Sequence, residues 1–163
     1  MIQIVPILQG LLLLVLANGA PVGAKLLFGD RFAAPLDGGM TLADGHPLFG
    51  GSKTIRGIGC AVLATALAAA ILGIGWRTGA LFGALAMAGD LLSSFTKRRL
   101  GRPTSSRATG IDQIPEALLP LLLCRSSLGL SLAGVAVGVT AFMFGEIYGS
   151  RILFRLHLRD RPY

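Results

Sequence analysis

The stretch from 83 to 101, GALAMAGDLLSSFTKRRLG, sets an acid deep in an apolar run and closes the run with Lys97, Arg98 and Arg99. On a helix, Asp90, Ser94 and Lys97 fall at i, i+4 and i+7 and share one face. At ~1.5 Å rise per residue the acid lies roughly 10 Å below Lys97, a spacing at which an anion held by the basic end shares a metal ion with the acid below. A carboxylate in apolar surroundings needs a cation beside it. A packing lock against a neighbouring arginine is one reading; a functional site is the other, and acids inside membrane segments are functional by default.

A second acid, Asp112, follows GRPTSSRATG and opens DQIPEALLP. Aspartate is a favoured N-cap and Pro115 falls in the first turn, where proline is tolerated, so local chemistry predicts a helix cap. A cap that also faces Asp90 gives two carboxylates beside several cations, a donor set suited to Mg²⁺ carrying a polyphosphate. The third polar cluster, PLDGGMTLADGHPLFGGSKTIRG from 35 to 57, puts Gly50, Gly51, Lys53, Thr54 and Arg56 just before a helix. Glycine amides and a helix N-terminus form a generic anion cradle, while headgroup anchoring accounts for Lys53 and Arg56 equally well. The segment is not a Walker A loop, because Ser52 separates Gly51 from Lys53 and no strand precedes it. His46 reads as a loop residue and His157 as a tail residue, neither of them a base. Cys60 and Cys124 lie in apolar runs and read as small core residues rather than a disulfide or a metal pair.

These side chains must be positioned by a chain that is 53% hydrophobic and 14% charged, with a mean hydropathy of +0.70 over 163 residues. That is more apolar content than one soluble core of this size needs, and it predicts an all-α integral membrane protein of a single domain, 1–163. Five helices are expected near 2–17, 58–74, 79–95, 114–124 and 128–149, with polar loops at 19–57 and 96–112 and a basic tail at 150–163. The fourth is short and carries Pro115 and Pro120. The first has no basic residue before it, so a cleaved signal peptide is not expected. Thirteen of the fifteen Lys and Arg lie in the two long loops and the tail, leaving Arg77 and Arg125 in the short turns. The positive-inside rule then puts the N-terminus outside and the active-site loops in the cytoplasm of a multi-pass protein of the cell membrane. The formal charge of +7 reads as headgroup attraction rather than nucleic-acid binding. In the tail, Arg151, Arg155 and Arg159 recur every four residues, which predicts an interfacial extension of the last helix.

With these residues in view, the chain resembles the CDP-archaeol synthase family, lipid-phosphate cytidylyltransferases related to phosphatidate cytidylyltransferase. ANGAPV, PLDGG, DG, GGSKTIRG, GD, SSFTKRRLG and IDQ follow one another at the family's spacing. The resemblance implies a five-helix membrane enzyme in which CTP and a lipid phosphate react with Mg²⁺ on the cytoplasmic side of the bilayer. By matching position, Asp90 and Asp112 look like metal ligands and catalytic acids, and Lys53, Arg56, Lys97 and Arg98 like phosphate binders, Lys97 among the catalytic groups. Thr54 and Ser94 fall in the same CTP-binding set. Asn18, Asp37 and Asp44 match family positions as further substrate contacts. Three departures stand out: His46 and Pro47 where basic residues are common, Gly51 and Ser52 in place of an acid and a glycine, and Pro115 where a further aspartate is common, with Glu116 next to it as a substitute.

The chemistry needs no strong base. A lipid phosphate is already a nucleophile at neutral pH, so attack on the α-phosphate of CTP requires alignment and charge neutralisation. CDP-alcohol phosphatidyltransferases are excluded, since neither Asp37-Gly38 nor Asp44-Gly45 continues as D-G-x-x-A-R. A non-catalytic lipid-binding or transport protein is the alternative class. The apolar faces leave the lipid (acyl ester or isoprenoid ether) and the oligomeric state open.

Overall fold

In the computed structural model, which describes residues 3–104, 106, 108 and 110–155, the chain is helical and no strand occurs among the described residues. The elements are α1 (Ile4–Phe28), α2 (Ile55–Ile71), α3 (Trp76–Arg99), α4 (Gln113–Leu123), a single turn α5 (Arg125–Leu128) and α6 (Leu132–Arg155). Helix α2 lies between α1 and α3, α3 packs on α4, and α6 closes the bundle against α4 and α1.

The core is apolar, but so is much of the exterior, and several polar groups are buried. Leu26 is 81% and Ile71 86% exposed, whereas Lys97, Arg98, Gln113 and Glu116 are buried. An apolar exterior around polar groups is what a bilayer solvent requires, since lipid hydrates no polar group. Helices α1 and α3 are each long and apolar enough to cross a membrane.

Small residues let the backbones approach. A Cβ at Gly79 or Gly83 would run into α2 at Thr65, Ala69 and Val62, and one at Gly89 would strike the Pro115 carbonyl and the backbone of Glu116. The last contact sets the depth of the site. Helix α4 meets α3 at Gly89, ten residues before α3 ends, so this contact lies roughly 15 Å down the bundle from Arg99 at ~1.5 Å per residue. At the opposite end, Gln3 fastens α1 to the α5–α6 turn, donating to the Gly129 carbonyl at 2.8 Å and accepting from the Ser131 amide at 2.7 Å. Arg77 lies over the Trp76 ring at this same end, 5.5 Å from its centroid.

Helix boundaries differ from those expected at several points. The first helix runs to Phe28, not 17, so the following loop starts at Gly29 and Lys25 is helical. Pro21 removes one amide without stopping the helix, and Asn18 Nδ2 turns back to the Leu14 carbonyl at 3.2 Å. Helix α2 starts at Ile55 because the Thr54 hydroxyl caps it, accepting from the Gly57 amide at 3.1 Å, and it stops before Gly73 and Gly75, both at positive φ. Helix α3 begins at Trp76 rather than 79 and continues past 95 through Lys97, Arg98 and Arg99. Cations at a helix C-terminus complement its dipole, and both residue types favour helix. Beyond α4, the chain makes α5 and breaks at Gly129 in the left-handed region, so that α6 starts at Leu132, not 128, and extends past 149 to Arg155. Arg107, His157, Arg159 and Arg161 lie outside the described residues, as do the side chains of Arg151 and Arg155, and with them the interfacial role expected of Arg151, Arg155 and Arg159.

Candidate functional site at the recessed polar end

The loop between α1 and α2 is closed on itself before it presents any side chain. Pro35 and Thr54 form an antiparallel bridge, with Leu36 donating to the Lys53 carbonyl at 2.8 Å and Ile55 to Ala34 at 3.1 Å. A second bridge, Thr41 to Pro47, makes a hairpin tip. Asp37 holds the interior: its Oδ2 accepts from the Phe49 and Gly50 amides at 3.0 and 2.9 Å, and its Oδ1 from Gly39 at 3.0 Å. These amides, Phe49 foremost, hold the Asp37 carboxyl below the usual carboxylate range against the opposing effect of burial. The Gly50 amide, expected in an anion cradle, is thus taken by Asp37.

The hairpin tip is tied to the end of α3. Arg99 donates to Asp44 Oδ2 at 2.7 Å and to the carbonyls of His46 and Pro47 at 3.2 and 2.7 Å. The Asp44 carboxyl lies below its ordinary value, chiefly because it accepts from the His46 amide, with Arg99 adding to the effect. Arg56 donates to the carbonyls of Gly29 and Arg31, securing the start of α2 to the end of α1.

This scaffold delivers Lys53 to α3. Its Nζ meets both oxygens of Asp90, at 2.6 and 2.5 Å. Two turns further along the same face, Lys97 Nζ lies 2.6 Å from Asp112 Oδ1 and donates to the Ser106 carbonyl at 2.9 Å. Asp112 is not a side-chain cap for α4. Its backbone is already helical and no cap bond forms; instead its Oδ2 accepts from the Ala108 amide at 2.8 Å, because the chain turns helically one residue earlier. Arg98, 3% exposed, donates to the Thr104 hydroxyl at 3.3 Å and has Asp112 as an electrostatic neighbour. Ser94 is buried on the face between the two pairs, and the neighbouring Ser93 hydroxyl donates to the Asp90 carbonyl at 2.9 Å.

Glu116 lies between the pairs. It is 5% exposed, its Oε1 is buried without a hydrogen-bond partner among the described residues, and its charged neighbours are Asp90, Glu146, Lys53 and Asp112. The structure therefore brings together Lys53, Asp90, Ser94, Lys97, Arg98 and Asp112, with Glu116 buried beside Asp90, Lys53 and Asp112. Asp37, Asp44, Thr54, Arg56 and Asn18 make their described bonds elsewhere. Glu146 was missed in the sequence, although it is a lone acid in AFMFGEIYGS from 141 to 150 and the criterion that singled out Asp90 applies to it unchanged.

The donor chemistry suits Mg²⁺. Among the described residues no three His, Cys, Asp or Glu side chains form a metal cage. Two aspartates with hard oxygen donors, each held by a lysine ammonium in this structure, match an ion that binds through one or two carboxylates and completes its shell with water and substrate phosphates.

Comparison with known proteins agrees along the whole chain. Residues 1–163 match the family model of CarS-like CDP-archaeol synthases. A CDP-archaeol synthase of Methanopyrus kandleri is 39% identical over 95% of this chain and 92% of its own length, and one of Sulfurisphaera tokodaii is 32% identical over 79% and 81%. Among solved structures, an intramembrane enzyme for archaeal membrane lipid biosynthesis superposes with a TM-score of 0.66 at 27% identity, covering 85% of this chain and 90% of that one.

Proposed function

The chain belongs to the CDP-archaeol synthase family, and on that premise we propose that its two lysine–aspartate pairs and Arg98 form the active site of a CTP-dependent, Mg²⁺-dependent cytidylyltransferase. The protein is a membrane enzyme that converts a lipid phosphate to a CDP-lipid; the transport alternative gives way to this reading. The observation that carries the site assignment is the charge cluster itself: two partly buried cation–carboxylate pairs beside the buried Glu116, at the polar end of an otherwise apolar bundle.

An oxygen of the lipid phosphate attacks the α-phosphorus of CTP. A phosphorus–oxygen bond forms to the lipid, the bond to the β-phosphate breaks, and pyrophosphate leaves. Negative charge accumulates on non-bridging oxygens throughout, so the protein's task is neutralisation and alignment. Lys53, Lys97 and the planar guanidinium of Arg98 supply charge-assisted donors at the end of α3. Asp90 and Asp112 would hold Mg²⁺, which when bound supplies Lewis-acid neutralisation of the phosphate oxygens. Ser94 adds a buried hydroxyl on the same face. Partial burial of these groups lowers the local screening and strengthens each of these interactions.

The arrangement also supports a finer topology. Loop 29–54, the end of α3, the start of α4 and the basic end of α6 share one end of the bundle, and this is the cytoplasmic end by the positive-inside rule. Five crossings then leave the N-terminus outside, with α4 and α5 together completing a crossing that α4 alone, at 11 residues and about 16 Å, is too short to make. The partners are CTP, a lipid phosphate and the bilayer of the cell membrane. Purified protein in proteoliposomes should turn CTP and a lipid phosphate into CDP-lipid only when Mg²⁺ is supplied. Undiminished turnover in excess chelator would refute the metal assignment, and accessibility of Arg77 rather than Lys97 to a cytoplasmic-side reagent would refute the orientation.

A further inference from the structure

Four groups of the proposed site are paired off, and each has a second task under the reading above. The aspartates are to hold a metal, and the lysines are to hold phosphate. At 2.5 and 2.6 Å an ammonium takes the carboxylate lone pairs a metal would use, and an ammonium so engaged is not available to a phosphate oxygen. The two tasks of each pair exclude one another in the paired arrangement.

Resting on that reading, we infer that Lys53 and Lys97 are place-holding counter-ions, which leave their aspartates for the nucleotide phosphates when metal and CTP enter together. A recess cannot hold two uncompensated carboxylates without a large desolvation cost, and the ammonium groups remove that cost until a divalent ion does so. The wiring of the two pairs suits release. Lys53 is bonded by its side chain to Asp90 alone among its described contacts and sits at the end of the loop, next to the Pro35–Thr54 bridge. Its four-carbon stem can swing without unmaking the scaffold. Lys97 keeps the Ser106 carbonyl as a second partner, and Asp112 stays oriented through its bond from the Ala108 amide. Asp90 and Asp112 are thus poised for a metal but bind it only weakly when it comes alone. Metal and nucleotide must each bind more tightly in the presence of the other, by the same factor.

The test is metal binding without turnover. Mn²⁺ serves as the probe and is titrated by electron paramagnetic resonance against the full chain in detergent, with no nucleotide. Wild type should bind Mn²⁺ weakly, and CTP should tighten it. Lys53→Gln and Lys97→Gln should each tighten nucleotide-free Mn²⁺ by about tenfold, because the competing charge is gone, while weakening CTP. Arg98→Gln removes the same charge within the site from a residue that makes no aspartate pair, and should tighten Mn²⁺ by much less. Lysine variants with wild-type or weaker Mn²⁺ affinity would overturn the exchange, and so would an equal gain in Arg98→Gln. If neither lysine variant folds, amine acylation of wild type read by mass spectrometry replaces them: saturating Mn²⁺ without nucleotide should speed labelling of Lys53, and unchanged labelling overturns the proposal. Absence of Mn²⁺ binding even with CTP would instead remove the metal reading beneath it.

Discussion

Two sets of polar side chains share the polar end of this bundle, both draw on aspartates and cations, and they are bonded in opposite ways. Asp37, Thr54, Arg56 and Arg99 spend their polar atoms largely on backbone amides and carbonyls: Asp37 on three amides, Thr54 on Gly57, Arg56 on Gly29 and Arg31, Arg99 on His46 and Pro47 as well as Asp44. Lys53, Asp90, Lys97 and Asp112 meet one another across three separate elements. Backbone partners do not move unless the fold moves, so the first set fixes loop shape. A side-chain pair between elements can be opened by rotation about single bonds, so the second set can exchange partners. The lesson is that charge type and position do not distinguish scaffold from site; the identity of the bonded partner does.

The comparison is broken most severely at the aspartates. Asp90→Asn and Asp112→Asn keep shape and lose charge, and each should lower CDP-lipid formation by about a thousandfold while the protein stays folded in detergent. Near-normal turnover in both, measured by mass detection of product, would move them into the scaffold set. Next in size is a packing change with no charge at all. Gly89→Ala places a methyl group against the Pro115 carbonyl and the Glu116 backbone, and it should cost about 1–3 kcal/mol, read as a lower thermal unfolding midpoint in detergent, because neither backbone can retreat. An unchanged midpoint would mean that α3 and α4 do not meet at this depth.

The lysines should follow. Lys53→Ala and Lys97→Ala each remove a charge-assisted contact of about 1.5–3 kcal/mol, read as loss of kcat/KM for CTP. A loss confined to lipid headgroup binding, with CTP unaffected, would make them membrane anchors instead. The smallest effect belongs to the scaffold and is a pH effect. The Asp37 carboxyl is depressed by its amide partners, so its contribution is fully present above the ordinary aspartate value of about 3.9 and is lost as pH falls through the lower folded value. Protease resistance of the loop from 35 to 50 should therefore be flat at neutral pH and drop only in strong acid. Asp37→Asn should weaken the loop at pH 7 and remove that step.

The face shared by Asp90, Ser94 and Lys97 was legible in the sequence because helical periodicity alone determines it. So was the membrane solvent, since composition measures it directly. Pairing was not legible. Lys53 lies 37 residues from Asp90, and only the two bridges that close its loop decide where its ammonium arrives. Helix ends were misplaced for a different reason. Apolar runs mark where a helix touches lipid, whereas α1 continues through Asn18 and Pro21, and α3 through three cations, as hydrogen bonding and propensity allow. Asp112 shows the limit of local rules: a favoured cap residue in a cap position gave its oxygens to Lys97 and to the Ala108 amide behind it. Glu116 was legible only as a substitute acid beside Pro115, because its burial among other carboxylates depends on the approach of α3 at Gly89.

The central claim is that this recessed cluster transfers a cytidylyl group to a lipid phosphate. The most direct measurement reconstitutes the purified chain in proteoliposomes with CTP and Mg²⁺ and offers an isoprenoid ether lipid phosphate beside a diacyl one, with CDP-lipid and pyrophosphate both quantified by mass. Wild type should yield the two products in equal amounts from at least one lipid, and Asp90→Asn should yield neither. Folded wild-type protein that makes no CDP-lipid from either lipid, or an Asp90→Asn variant that makes it at the wild-type rate, would contradict the account.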